Sequence, residues 1–191
     1  MENKENVEKI RENILKRVST DRIMWFSMWF LLSITTFGLA LFPMFHFLFE
    51  RRNKHFLRQK ELENLVLSTL KGKGVELETE TDNFYRRNAL LWALSILLVV
   101  PIFLAAYSLS KDLLLHEKRQ IALFKKIFPE EALIEQKINL KFCMAITLVT
   151  LGAGIIYWFY KIFNAYNNHF KEQWKIEDKI VELLERGDLS G

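Results

Sequence analysis

Three long apolar runs alternate with charged segments along the chain. Residues 23–49 carry no Asp, Glu, Lys or Arg, and their most polar member is His46, close to the end. Residues 89–109 are uncharged throughout, and residues 140–163 hold charge only at Lys141 and Lys161. A helix of roughly 20 apolar residues crosses a hydrocarbon core of about 30 Å, so each run predicts a transmembrane helix. At about −0.3 to −0.6 kcal/mol for each central Leu, Ile, Phe or Val, insertion is favourable. Trp25 and Trp29 stand where an interfacial belt is expected, Pro43 stands where a helix would kink, and Pro101 lies within the second run.

The segments between the runs predict surface helices. Residues 1–22 form an amphipathic helix, with Val7, Ile10, Ile14 and Val18 on or near one face. Residues 50–88 hold a charged helix ended by Lys71-Gly72-Lys73-Gly74, then an acidic loop with Glu76, Glu78, Glu80 and Asp82. Residues 110–139 predict amphipathic helices. Leu114, Ile121, Phe124 and Phe128 share one side, and Pro129-Glu130-Glu131 opens a new helix. Residues 164–191 form a helical tail in which Phe163, Tyr166, Phe170, Ile180 and Leu184 approximate a heptad. The expected fold is all-α: a single integral membrane domain of three transmembrane helices with juxtamembrane helices.

An internal repeat underlies this order. A shift of 114 residues lays the first run on the third. It matches Thr36 with Thr150, Gly38 with Gly152, Phe45 with Phe159, Asn53 with Asn167, His55 with His169, Phe56 with Phe170 and Gln59 with Gln173. The repeated unit, 5–70 and 119–184, is amphipathic helix, span, amphipathic helix. Both copies share an N-x-H-F-x-x-Q exit, and the middle span joins them. One intervening span makes the copies parallel in the membrane. It also places the first amphipathic helix and His116 on one side of the bilayer, with the two exits and the C-terminal tail on the other. The basic residues flanking the spans favour a cell-membrane protein with its N-terminus outside and C-terminus in the cytoplasm.

Composition narrows the function. The chain of 191 residues has a formal net charge of +4, with Lys and Arg interleaved with acidic residues, so nucleic acid is not an expected partner. The single Cys143 excludes an internal disulfide and a Cys-based zinc framework. Nucleophile-elbow, phosphate-loop and H-E-x-x-H patterns are absent, and no acidic pair falls within a run.

The third run carries Ile146, Thr150, Gly152, Tyr157, Trp158, Tyr160 and Lys161. In these positions it resembles a family of small uncharacterised prokaryotic multi-pass membrane proteins with a T-x-G…Y-W-x-Y-K span signature. The first run keeps Thr36, Gly38 and aromatic Phe45, with Pro43 where the signature has Tyr. The resemblance implies a membrane class and topology and brings no activity with it.

Three groups of residues are candidates for function. Thr36, Gly38 and Ala40, with Thr150, Gly152 and Gly154, put small residues on one face of a helix, where another helix can approach closely. Arg51, Arg52, Lys54, Arg86 and Arg87 form a basic group suited to lipid head-groups. His55 and His169 hold equivalent places beyond two parallel spans and are the candidate metal or phosphate ligands, with His116 across the membrane. No cofactor is expected. The leading expectation is a non-catalytic scaffold, accessory or regulatory subunit that contacts membrane lipids and a protein partner or a second copy. The alternatives are a three-span insertase-type factor and a lipid- or metal-binding protein using His55 and His169.

Overall fold

The computed structural model describes residues 2–72, 85–129 and 135–186, excepting the side chains of residues 2–4. The acidic stretch 75–83 and the helix start at Glu130-Glu131 lie outside the described residues. Among those described, the fold is all-helical: α1 (Glu2–Leu15), α2 (Arg17–Thr20), α3 (Phe26–Thr35), α4 (Leu41–Gly72), α5 (Ala89–Ser95), α6 (Val99–Ile127), α7 (Leu140–Val149) and α8 (Ile155–Arg186). Among the described residues one helix, α6, is long and apolar enough to cross a membrane.

None of the three apolar runs forms the single helix expected of it. Each is split by a turn into a short arm and the start of a long helix, and the two pieces lie side by side. In the first run the rings of Trp29 and Phe47 are 6.0 Å apart. In one continuous helix these residues would be separated by about 27 Å. Arg51 Nη1 donates to the Arg22 carbonyl at 3.4 Å, closing the same hairpin lower down. In the third run Phe142 and Tyr157 stand 6.0 Å apart. In the second, Arg87 pairs with Asp112 through contacts of 2.6 and 3.0 Å.

The T-x-G triplets make two of these turns, which corrects their expected place on one helix face. Gly38 N–H donates to the Ser33 carbonyl and Phe37 N–H to that of Ile34, with φ of +49° at Phe37 and +89° at Gly38. This is a Schellman ending with two left-handed residues. Leu151 (+50°) and Gly152 (+100°) repeat it, with Gly152 N–H on the Thr147 carbonyl. Each threonine ties the two arms together. Thr36 Oγ1 donates to the Leu32 carbonyl at 2.6 Å and accepts from Ala40 N–H at 3.0 Å. Thr150 does the same with Ile146 and Gly154, at 2.7 and 2.6 Å. Pro43 and Pro101 sit in the first turns of α4 and α6, where their missing N–H has no helical partner to lose. Both stand at helix starts, and Pro43 does so where a kink was expected. The bounds of α3 and α4 map onto those of α7 and α8 with the same 114-residue shift at all four ends.

The long helices α4, α6 and α8 run parallel from the turns. Phe45 meets Phe159 at 5.2 Å near the top, and Trp158 Nε1 donates to Ser110 Oγ at 2.9 Å. Leu109, Leu113, Ile162 and Tyr166 are fully buried beneath them. At the far end Leu62, Val66, Phe124, Phe128 and Ile180 form a second core with Ile10 and Ile14 of α1. Arg11 of α1 pairs with Glu185 of α8 at 3.0 Å. The expectation that α1 and the tail lie on opposite sides of a membrane is therefore corrected. Both belong to one bundle end, because every hairpin returns the chain to the side it came from.

Candidate metal centre

Midway down the bundle, α4, α6 and α8 each turn a histidine inward. The rings of His55, His116 and His169 form a near-equilateral triangle, with centroids 5.1, 5.4 and 5.5 Å apart. One ring nitrogen from each lies within 4.8 Å of the others. His55 is fully buried, and His116 and His169 are each 4% exposed. The placement of His116 across a membrane is overturned, since the parallel run of the long helices brings it level with the other two.

Four residues below each histidine is a glutamine: Gln59, Gln120 and Gln173. All three are buried, and Gln59 Oε1 accepts from Gln120 Nε2 at 3.1 Å and from Gln173 Nε2 at 2.9 Å. Residues four apart share a helix face, so H-x-x-x-Q on each long helix builds a three-histidine layer on a three-glutamine layer. Above the histidines Phe56 stacks on His116 at 4.0 Å, and the Arg52 guanidinium covers Phe56 at 4.8 Å.

Side chains beside each histidine hold the neighbouring hairpin. Asn53 accepts from Arg87 N–H at 3.1 Å and donates to its carbonyl at 2.6 Å, fixing the start of α5. Asn167 grips Met24 in the same way at 3.1 and 2.7 Å, fixing the start of α3. Glu117 Oε2 accepts from Gln136 N–H at 2.8 Å, just before α7. The three clamps run α4 to α5, α6 to α7 and α8 to α3, and so close a ring.

Two carboxylates orient the imidazoles. His55 Nδ1 lies 2.9 Å from Asp21 Oδ1, and His169 Nδ1 lies 3.1 Å from Glu117 Oε1. A carboxylate oxygen accepts, so each Nδ1 donates to its carboxylate and each Nε2 is turned inward. Those two Nε2 atoms face each other at 3.1 Å. Asp21 Oδ2 also accepts from Arg58 Nη2 at 2.7 Å and Trp174 Nε1 at 2.8 Å. Burial pushes the Asp21 carboxyl up, but His55, Arg58 and Trp174 outweigh it and hold the group well below the usual carboxylate range. Burial pulls His55 down to about 4 against the pull of Asp21, so the ring is neutral at pH 7. Burial, then His169 and His55, drive His116 far below its ordinary value. Neither of its ring nitrogens has a hydrogen-bond partner.

The other candidates separate. Arg51 and Arg52 are buried rather than available to lipid. The Arg51 guanidinium lies 5.0 Å from the Tyr166 ring, and Arg52 pairs with Asp112 at 3.0 Å. Arg87 pairs with the same Asp112, Lys54 is exposed beside Glu50, and Arg86 is exposed. Asp21, His116 and Glu117 were not among the sequence candidates. The signal for His116 was the third H-x-x-x-Q, whereas Asp21 and Glu117 had no local pattern to mark them.

Comparison with family models, curated proteins and solved structures found no match, so the site itself carries the functional argument.

Proposed function

We propose that this protein binds one divalent transition-metal ion of the zinc class through His55, His116 and His169. One observation carries the reading: three buried imidazoles converge, two of them backed by carboxylates and the third without a hydrogen-bond partner among the described residues. Two ring nitrogens facing at 3.1 Å must hold a proton or a metal ion between them. Tetrahedral zinc with nitrogen ligands at about 2.0–2.1 Å sets neighbouring nitrogens roughly 3.3–3.4 Å apart. His55 and His169 nearly meet that spacing, and His116 needs to close by at most about 1.5 Å. A carboxylate on Nδ1 fixes the tautomer and raises the basicity of a ligating ring. Neutral imidazole suits zinc, copper and nickel over magnesium and calcium. Three nitrogens leave a fourth position for water.

The burial of the site favours a structural or sensing ion over catalysis. The glutamine layer closes the floor, and Phe56 with Arg52 closes the roof. An ion held there joins the three hairpins, which suits a non-catalytic scaffold or regulatory subunit associated with a membrane. The shared bounds of the first and third hairpins support descent of both from one repeated unit.

Calorimetric titration of chelator-treated protein with zinc tests the reading. Expected is a single saturable site per chain, weakened at least 100-fold in His116→Ala. Equal affinity in that variant would overturn it.

A further inference from the structure

We infer that the three hairpin turns insert into one leaflet of a lipid bilayer, so that the chain enters and leaves the membrane on the same side and does not cross it. Parallel α4, α6 and α8 bring all three turns to one end of the bundle. That end is apolar and bare. Phe37 and Leu151, at the tips of the first and third turns, are 99% and 97% exposed, and Leu97 at the second is 74% exposed. Buried cores hold residues of this kind, and a contiguous exposed cap of them marks a surface that meets another apolar phase.

The height of the cap selects the phase. The ascending helices have 10, 7 and 10 residues, which gives about 15, 10 and 15 Å. Descending, the first Asp, Glu, Lys or Arg residues are Glu50 on α4, Lys111 on α6 and Lys161 on α8, about 14, 18 and 9 Å from the helix starts. A bilayer core is about 30 Å thick, so the depth free of charge on α4 and α6 matches one leaflet, and the long Lys161 side chain on α8 reaches toward the head-groups. If α6 crossed instead, Lys111, Asp112 and the histidine layer would be carried into hydrocarbon together with the charged flanks of α4 and α8.

The border of the cap fits an acyl–headgroup boundary. Exposed Trp25 and Tyr160 stand there, and Lys111 lies 5.8 Å from the Tyr107 ring. Amphipathic aromatics and cations at this level are what a phosphate-bearing interface attracts. An apolar cleft of about 220 Å³ opens between the first and third hairpins, lined by residues such as Phe30, Ile34 and Ile156, and it gives an acyl chain a place to enter.

Sidedness tests this directly. In the full chain, with Cys143 replaced by alanine, single cysteines at Ser19, Ser68, Lys118 and Lys175 are labelled with a membrane-impermeant maleimide in intact spheroplasts and in inverted vesicles. Expected is that all four react from the same side. Reaction of Ser19→Cys and Ser68→Cys from opposite sides would show that the first run crosses and would overturn the inference. Flotation of purified protein with phosphatidylglycerol-containing vesicles separates lipid from a protein partner. Wild type floats, and the Phe37→Glu, Leu97→Glu, Leu151→Glu triple variant stays in solution with its helical circular dichroism intact. A wild type that fails to float overturns the inference equally.

Discussion

The Nε2 atoms of His55 and His169 face each other at 3.1 Å, although each ring already holds a carboxylate on its Nδ1. Two imidazoles arranged only for packing would turn one Nε2 toward a donor. Here Asp21 and Glu117 prevent that, and His116 adds a third nitrogen without a partner. The proposed cation site rests on this pair, and the following expectations depend on that arrangement or on the hairpins that create it.

Asp21→Asn and Glu117→Gln keep the three ligands but remove the charge behind two of them. Orienting partners of this type are worth about 10–100-fold in metal affinity. Zinc titration of each variant is expected to show one site with affinity reduced in that range. Unchanged affinity in both would separate the carboxylates from the site.

Asn53 and Asn167 each satisfy the N–H and carbonyl of one backbone residue at the start of a neighbouring hairpin. Alanine at either position strands those groups, at a cost of about 1–3 kcal/mol for each buried group left unpaired. Chemical denaturation in mild detergent is expected to show losses of about 2–6 kcal/mol for each variant. A loss in only one would mean that the two clamps are not equivalent.

Gly154 holds the place after its turn that Ala40 holds after the first, and it packs tightly on backbone. A Cβ built on Gly154 would lie 2.8 Å from backbone atoms of Ile146 and Thr147, whereas the nearest atom to one on Gly38 is 3.9 Å away. Gly38→Ala meets only the left-handed backbone penalty of about 1–2 kcal/mol. Gly154→Ala is expected to cost more than Gly38→Ala in the same unfolding measurement, because the arms of the third hairpin must part.

Glu177 lies fully buried against Arg58 and Gln59. Burial raises its carboxyl to about 7 despite Arg58. The folded state then binds this proton more tightly than the unfolded chain does. The contribution of Glu177 to stability is full below pH 4.5 and is lost as pH rises to 7, by at most roughly 3 kcal/mol. Glu177→Gln lacks that titration. The stability of wild type relative to Glu177→Gln should fall across this window, and a flat difference between them would contradict the raised carboxyl.

Sequence pattern revealed the helices and the 114-residue correspondence of the first and third runs, because apolar periodicity and recurring residues are local signals. It did not reveal the turns. Phe37 and Leu151 take left-handed backbone that neither residue favours, and a T-x-G triplet reads equally well as a packing face. Once each run is taken as a span, alternate helices become antiparallel and His116 leaves the site. The metal centre was therefore half legible. His55 and His169 stood out through the repeat, and His116 was lost to the inferred topology. Asp21 and Glu117 reach the rings only through tertiary packing.

Cobalt substitution tests the metal centre most directly. Chelator-treated protein is loaded with one equivalent of cobalt(II), and its visible spectrum and metal content are recorded at pH 7.5. Expected is one bound cobalt per chain with the intense visible bands of a four-coordinate site, displaced by zinc and lost in the His55→Ala, His116→Ala, His169→Ala triple variant. No bound cobalt, or a spectrum unchanged by removal of the three histidines, would contradict the assignment.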